Sequence, residues 1–345
     1  MTMKTIAELA QVSPATVSRT FHSPHLVDAK TRNLIMSIAE EHQYVYNATA
    51  ANLSRKQSTI IGVLLPHANR SFFGTSLIAI QDKAQENGYA VIIGNTKYDK
   101  NTEKLLIEQF MQHQVAGMIL TGCHPDNEDY IHDLIDKGTP CVFTWETFRN
   151  GNFSYVGFDN HSAAFKMTEY LIGLGHRRIG LLIGPYFKSS RISARFEGYK
   201  AALKKHNIAF DQSIVITRVP SLIEGREATK SLVGLSDRPT AIFAASDSLA
   251  IGALTAVKDK GLKVPEDISI AGFDNVEFAS HCDPPLTTVQ VPAMDMGHRA
   301  METLLDIIGS GVDKVRRYDL ETDLIIRDSC LPLQLSIKRG GNQKT

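Results

Sequence analysis

Between residue 60 and about residue 330 the chain alternates short apolar runs with amphipathic stretches, and before residue 60 it does not. The runs Ile60–Leu65, Ala90–Ile93, Gly117–Leu120 and Cys141–Thr144 are largely apolar on both faces, as strands covered on both sides of a parallel sheet must be. Between them, apolar positions recur at helical spacing near residues 75–87, 101–113 and 127–137. A second series follows, with Ile179–Ile183, Ile214–Ile216, Ala241–Ala244 and Ile268–Ala271 again separated by helical stretches. The pattern predicts two similar α/β lobes in series with a cleft between them. Ligands of open parallel sheets sit beyond the carboxyl ends of the strands, so the residues after each run are the expected lining of that cleft.

The first 46 residues follow a different rule. Thr5-Ile6-Ala7-Glu8 reads as a capping box with Thr5 as N-cap, and Ile6, Leu9 and Ala10 form the inner face of a first helix. Only Gln11 and Val12 connect it to a second helix, which Ser13 caps and Pro14 opens. There Val17 and Phe21 make an apolar pair, while Ala15, Ser18, Arg19 and His22 form a small, polar, singly basic face. A third helix opens at Asp28 and carries Leu34, Ile35, Ile38 and Ala39 until about Gln43. So short a connection makes two helices cross steeply, as in a helix-turn-helix, and the outward face suits a major groove. The alternative is a three-helix piece of a larger domain. Asn47–Ser58 holds three alanines and one leucine, too little apolar surface for a helix by itself, and reads as a conditional helix. The polar stretch 336–345 is expected to be disordered.

Composition changes this picture little. At 345 residues the chain has room for two or three compact units, and 43% hydrophobic with 21% charged residues is ordinary for a soluble protein. No apolar run reaches the roughly 18 residues of a membrane helix, and no export signal opens the chain, so a cytoplasmic protein without a membrane partner is expected. Charge matters once it is located. The net charge is zero, but residues 1–59 hold six basic and four acidic side chains, a surplus of two, with His22, His25 and His42 beside them. A field that weak binds DNA well only when two heads dock together, so a dimer is expected. Cys123, Cys141, Cys282 and Cys330 show no metal or redox spacing, and no cofactor or metal is expected. Gly173–Gly180 has glycines like a dinucleotide loop but precedes its strand instead of following one, and no catalytic constellation can be placed. The chain therefore reads as a non-enzyme.

The segments Thr5–Ala10, Val12–Arg19, Ala50–Leu53, Leu174–Ile179, Ala194–Tyr199, Ser246–Gly252, Val264–Ser269, Gly272–Asn275 and Pro284–Val289, in that order, resemble the lactose-repressor family of bacterial transcription regulators over nearly the whole chain. The resemblance implies a helix-turn-helix head over 1–46, a hinge over 47–58 that is helical on DNA, and a two-lobed core over 59–335 similar to periplasmic sugar-binding proteins. In that core one lobe takes about 59–157 and 290–320, the other about 158–289 and 321–335. It implies a homodimer on palindromic operator DNA. Residues 331–345 carry no leucine heptad of the kind that makes tetramers.

By the same resemblance, Thr5, Ser13, Pro14, Ala15, Thr16, Ser18, Arg19 and His22 meet the DNA, and Arg19 reads a guanine edge. Ala50 also meets the DNA, and Leu53 enters the minor groove as the wedge. The implied effector residues are Phe72 and Phe73 after the first strand, Thr121, Trp145, Phe158, Asp159, Arg195, Ser246 and Asp274. Arg195 and Asp274 suit adjacent hydroxyls, and Trp145 or Phe72 offers a flat face to a sugar ring. The plainer alternatives are an Arg195–Asp274 ion pair and core roles for Phe72 and Phe158. The chain departs from the family pattern at Gln11 in place of a turn glycine, at Trp145, Ser246, Pro220 and Ala293. The expected function is a repressor of carbohydrate-use genes released by a small sugar-like effector. A purine-type corepressor regulator and an activator are the alternatives within the family, and an α/β enzyme is a remote one.

Overall fold

The computed structural model describes residues 1–22, 24–44, 58–67, 71–148, 152–312 and 314–333, without the side chains of His22 and Ser71. It divides into two units, Met1–Thr59 and Ile60–Thr345. Most of the expected hinge, and the expected tail, lie outside the described residues.

The first unit contains α1 (Met3–Leu9), α2 (Pro14–His22) and α3 (Ala29–Glu41). Ile6, Ala7, Ala10, Val17, Ile35 and Ala39 close its core. Two expectations at α1 need correction. Thr2, not Thr5, is the N-cap: its hydroxyl accepts from the Thr5 amide at 3.3 Å, so the helix begins before the expected capping box. Leu9 is 50% exposed, and Ala7 takes the inner position because the helical repeat places residues 6, 7 and 10 on one stripe. The other caps match the sequence reading. Ser13 Oγ accepts from the Thr16 amide at 3.1 Å and Asp28 Oδ1 from the Thr31 amide at 2.9 Å. The turn between α1 and α2 forms without glycine, with Gln11 itself left-handed at φ +55°, at a cost of about 1 kcal/mol.

The second unit begins with β1 (Ile60–Leu65), α4 (Ser71–Glu86), β2 (Ala90–Asn95), α5 (Lys100–Gln112), β3 (Gly117–Thr121), α6 (Glu128–Asp136), β4 (Cys141–Thr144) and β5 (Tyr155–Gly157). It continues through α7 (Asn160–Gly173), β6 (Ile179–Ile183), α8 (Ser190–Lys205), β7 (Val215–Thr217), α9 (Leu222–Val233), β8 (Ala241–Ala244), α10 (Asp247–Asp259) and β9 (Ser269–Ala271). It closes with β10 (Thr288–Gln290), α11 (Ala293–Ser310), β11 (Arg317–Asp319) and β12 (Asp323–Ile325).

These strands form two parallel sheets, ordered β11-β5-β4-β3-β1-β2 and β7-β6-β8-β9, and an antiparallel β10–β12 pair. The eight apolar runs all coincide with strands, and in β1, β3, β4, β6, β8 and β9 Ile61, Val63, Met118, Ile119, Val142, Leu181, Ile242 and Ile270 are covered on both faces and fully buried, whereas β2 lies at the sheet edge and, contrary to expectation, leaves Ala90 and Ile93 exposed. The three-residue strands β5, β10, β11 and β12 are too short to show a period in sequence. Helix α11 is a further element beyond those expected, although Met296, Ala300, Leu304 and Ile307 recur at helical spacing and are buried against the first sheet and α4. Among the described residues no helix is long and apolar enough to cross a membrane, and no group of His, Cys, Asp and Glu is arranged to hold a metal.

Candidate functional site

In the first unit, α2 exposes Pro14, Ala15 and Arg19 and half-exposes Thr16 and Ser18, while Val17 and Thr20 face the core. The Ser13 hydroxyl is engaged by the amide and the hydroxyl of Thr16 at 3.1 and 2.9 Å, which fixes the start of the helix. No acidic residue stands in the first turn, so the helix N-terminus remains favourable for a phosphate. Thr5 is half-buried on α1 with its hydroxyl 2.9 Å from that of Thr2. Of the other expected DNA contacts, the His22 side chain, Ala50 and Leu53 lie outside the described residues. The described face is small, convex and singly basic, able to lie in a groove and present one guanidinium to a base edge.

In the second unit the strand ends meet at a cavity of about 460 Å³, walled by Phe72 and Thr75 of α4, Asp274 and Glu277 after β9, and residues 290–295 between β10 and α11. That volume suits a small organic ligand. Phe72 is the half-buried front of an aromatic cluster. Its ring centre lies 4.3 Å from Phe73 and 5.5 Å from Trp145, and Trp145 lies 6.2 Å from Phe158. Phe73, Trp145 and Phe158 are fully buried behind it.

Trp145 and Asp274 are held in backbone conformations that side chains rarely adopt, at φ +71° and +113°. Such strain costs about 1–3 kcal/mol per residue and persists only where the surroundings enforce it. For Trp145 the enforcement is visible: its amide donates to Met296 Sδ at 3.2 Å, and its carbonyl accepts from Asn160 Nδ2 at 2.7 Å. Asn160 Oδ1 in turn accepts from Arg195 Nε at 2.8 Å, and Arg195 Nη1 donates to the Ala245 carbonyl at 2.9 Å. The same guanidinium stacks 3.6 Å above the Phe273 ring and lies 3.8 Å from Asp274 Oδ1. Arg195 thus ties the ends of β4, β8 and β9 together.

Burial lowers Arg195 to about 10, opposed by the Asp274 charge. Asp247, at the start of α10, is pushed up to about 8 by burial and then by Asp274, although the Thr288 hydroxyl at 2.6 Å and the Val276 amide at 2.8 Å donate to it. Trp145 Nε1 and Ser246 Oγ are buried without a hydrogen-bond partner among the described residues. Each unmet bond costs roughly 1–3 kcal/mol in the folded core.

Of the expected effector residues, Phe72 and Asp274 therefore line the cavity, and Phe73, Trp145, Phe158, Arg195 and Ser246 form the shell around it. Two stand elsewhere. Thr121 is buried with its hydroxyl 3.4 Å from that of Thr144 and borders a separate narrow crevice with Tyr98 and Gly122. Asp159 is exposed, and its carboxylate caps α7 by accepting from the Ser162 amide at 3.0 Å. The residue that turns inward is its neighbour Asn160, which the sequence reading missed because an Asp-Asn pair before a helix does not show which member caps it. Thr75, Gln290 and Asp295 were also outside the expected set, since they come from segments with no strand signal.

Comparison with known proteins agrees with both halves of this description. Residues 2–47 match the profile described as "Bacterial regulatory proteins, lacI family", and residues 168–330 match the "Periplasmic binding protein-like domain". The chain is 36% identical to the HTH-type transcriptional repressor CytR of Escherichia coli (strain K12) over 329 residues, 95% of this chain and 96% of that repressor. It is 32% identical to the ribose operon repressor of Haemophilus influenzae over 333 residues, 96% of this chain and 99% of that protein. Among solved structures, the lac repressor dimer bound to operator and the anti-inducer ONPF is similar at a TM-score of 0.84, with 26% identity over 96% of this chain and 99% of that one.

Proposed function

This chain belongs to the lacI family of bacterial regulatory proteins, and from that premise we propose that its cleft takes a small polyhydroxylated, sugar-like effector whose binding releases it from the operators of carbohydrate-use genes. It is a DNA-binding transcriptional repressor with an effector-binding core, acting as a homodimer on operator DNA, as the lac repressor dimer does. The observation that carries the effector reading is Asp274. This residue lines the cavity on strained backbone together with Phe72, and its carboxylate is buried just behind the wall, 3.8 Å from Arg195 Nη1. An acceptor and a fork donor side by side suit adjacent hydroxyls, and an aromatic face suits the apolar face of a sugar ring.

In this reading residues 1–46 read the DNA, 47–58 become helical on it with Leu53 as the minor-groove wedge, and 59–335 dimerise and bind the effector. No chemical step is required. The relatives are regulators, and a ligand acts by binding one arrangement of the two lobes more tightly than another.

The experiment is a thermal-shift screen of the full chain against sugars, sugar acids, polyols and purines. Hits are then tested for release of operator DNA selected from a random pool. A sugar that stabilises the core and releases the DNA supports the proposal. A hit that tightens DNA binding reverses the switch, and a purine hit replaces the ligand class. Arg19→Ala is expected to cost about 1–3 kcal/mol of operator binding and to relax preference at one base position. An unchanged base preference removes Arg19 from the readout.

A further inference from the structure

Four side chains join the two lobes without bordering the cavity. From the first lobe, Tyr98 follows β2 and Glu146 follows β4; from the second, Ser190 and Arg191 open α8. Arg191 Nη2 donates to Tyr98 Oη at 2.6 Å, and its guanidinium lies 4.9 Å over the Phe73 ring and 5.6 Å over the Tyr98 ring. The Ser190 hydroxyl donates to Glu146 Oε2. Both charged members are out of water, Arg191 at 3% and Glu146 at 4% exposure.

The first lobe is shaped around Glu146. At Gly157 a Cβ would stand 2.0 Å from the Glu146 carbonyl oxygen, and at Gly122, left-handed at φ +67°, a Cβ would stand 3.0 Å from Oε1. Only glycine lets the backbone approach this closely. The carboxyl is thereby held at the seam with α8.

We propose that Tyr98, Glu146, Ser190 and Arg191 form a latch that holds the two lobes together in the absence of an effector, and that ionisation of Glu146 loosens it. Closing the seam takes Glu146 out of water, which disfavours its charged form. Burial is the largest influence and raises the carboxyl to about 7, against the Ser190 hydroxyl, the Arg191 charge and the Cys123 amide, with Glu128 of α6 adding repulsion. The other groups near it stay neutral or are occupied. Burial pushes the Cys123 thiol up, and Glu103 of α5 accepts from the His124 amide and from Asn127. An opened seam returns Glu146 to water and to its ordinary value of 4.5. The closed form then binds the proton more tightly, so acid favours closure, and the closing constant falls roughly tenfold between pH 6 and pH 8.

The latch regulates the cleft described above but is tested without any effector, so its failure is distinguishable from a failure of the sugar reading. Spin labels are placed on the full chain at the exposed positions Asn101 of α5 and Phe187 before α8, both replaced by cysteine, with the half-exposed Cys282 replaced by serine. Double electron–electron resonance then reads the interlobe distance at pH 6, 7 and 8. The short-distance population is expected to shrink as pH rises, and Glu146→Gln to keep it at pH 8. Tyr98→Phe, which deletes only the hydroxyl that receives Arg191, is expected to lower that population at every pH while leaving the pH response. A distribution in the native sequence that ignores pH overturns the proposal, as does a Glu146→Gln protein that responds as fully as the native one. Should Glu146→Gln not fold, Ser190→Ala replaces it and is expected to deepen the loss above pH 7. Unchanged distances in both Ser190→Ala and Tyr98→Phe overturn the latch.

Discussion

The head and the cleft carry their functional side chains in opposite ways. On α2 the residues proposed to face the groove, Pro14, Ala15 and Arg19, are exposed, on regular helix, with the cap at Ser13 satisfied. Around the cavity, Trp145, Arg195, Ser246 and Asp274 are each at most 5% exposed, two of them on left-handed backbone, and the Trp145 Nε1 and Ser246 Oγ atoms lack partners among the described residues. DNA comes to the protein as a large ready-made surface, so a rigid convex face with few polar groups is enough. A small molecule must be enclosed before its hydroxyls can be told apart, so its recognition groups must be desolvated beforehand. The head presents a regular, satisfied surface, whereas the surroundings of the cavity hold strained backbone and unmet hydrogen bonds.

The strongest way to break this comparison is Arg195→Ala. Removing the guanidinium leaves Asp274 buried without its nearby cation, and Asn160 and the Ala245 carbonyl without a donor. A loss of about 3–5 kcal/mol in core stability is expected, together with loss of the effector response. Chemical denaturation of the full chain checks it. A loss below 1 kcal/mol would mean that the buried network carries little.

The second test uses pH. Glu146 and Asp247 are raised to about 7 and about 8 in the folded core, from 4.5 and 3.8. Groups raised on folding contribute stability below their unfolded values and lose it as pH rises through the folded ones. His176, lowered by burial, opposes this only below its ordinary 6.5, so the clean window is pH 6.5 to 8. Core stability is expected to fall by about 2 kcal/mol across it, and Asp247→Asn to remove part of that slope. The head has the opposite sign. Its Asp28 is held below 3.8 by the side chain and amide of Thr31, so its contribution is present throughout that window and is lost only in stronger acid. Calorimetry at three pH values separates the two units, and a head that tracks the core would sink the contrast.

The smallest effect belongs to the head. Ser13→Ala removes the acceptor for the Thr16 amide and is expected to cost about 1 kcal/mol in head stability, with operator affinity falling in proportion and effector binding unchanged. A change in effector binding would show that the cap matters beyond its own helix.

How legible each region was follows the same division. The Val17 and Phe21 spacing, the Ser13 and Asp28 caps and the eight apolar runs are local signals, and each appears in the structure near where the sequence places it. Thr5 shows the limit of such a signal, since Thr2 three residues earlier offers the same hydroxyl to the same helix and takes the amide first. In the core, Phe72 and Asp274 reach the cavity, but Asp159 became an exposed cap and Thr121 turned to another crevice. Asn160, Arg191 and Glu146 carried no periodicity or spacing that marks them, because what makes them matter is a partner from 15 to 93 residues away.

The sequence by itself determined the division into a three-helix head and a doubly sheeted α/β core, because capping and hydrophobic period depend on neighbours within a few residues along the chain. Tertiary structure alone decided which side chains face the cavity and which close the seam. A residue after a strand can turn toward the cleft or away from it, and that choice is made by the lobe packed across from it.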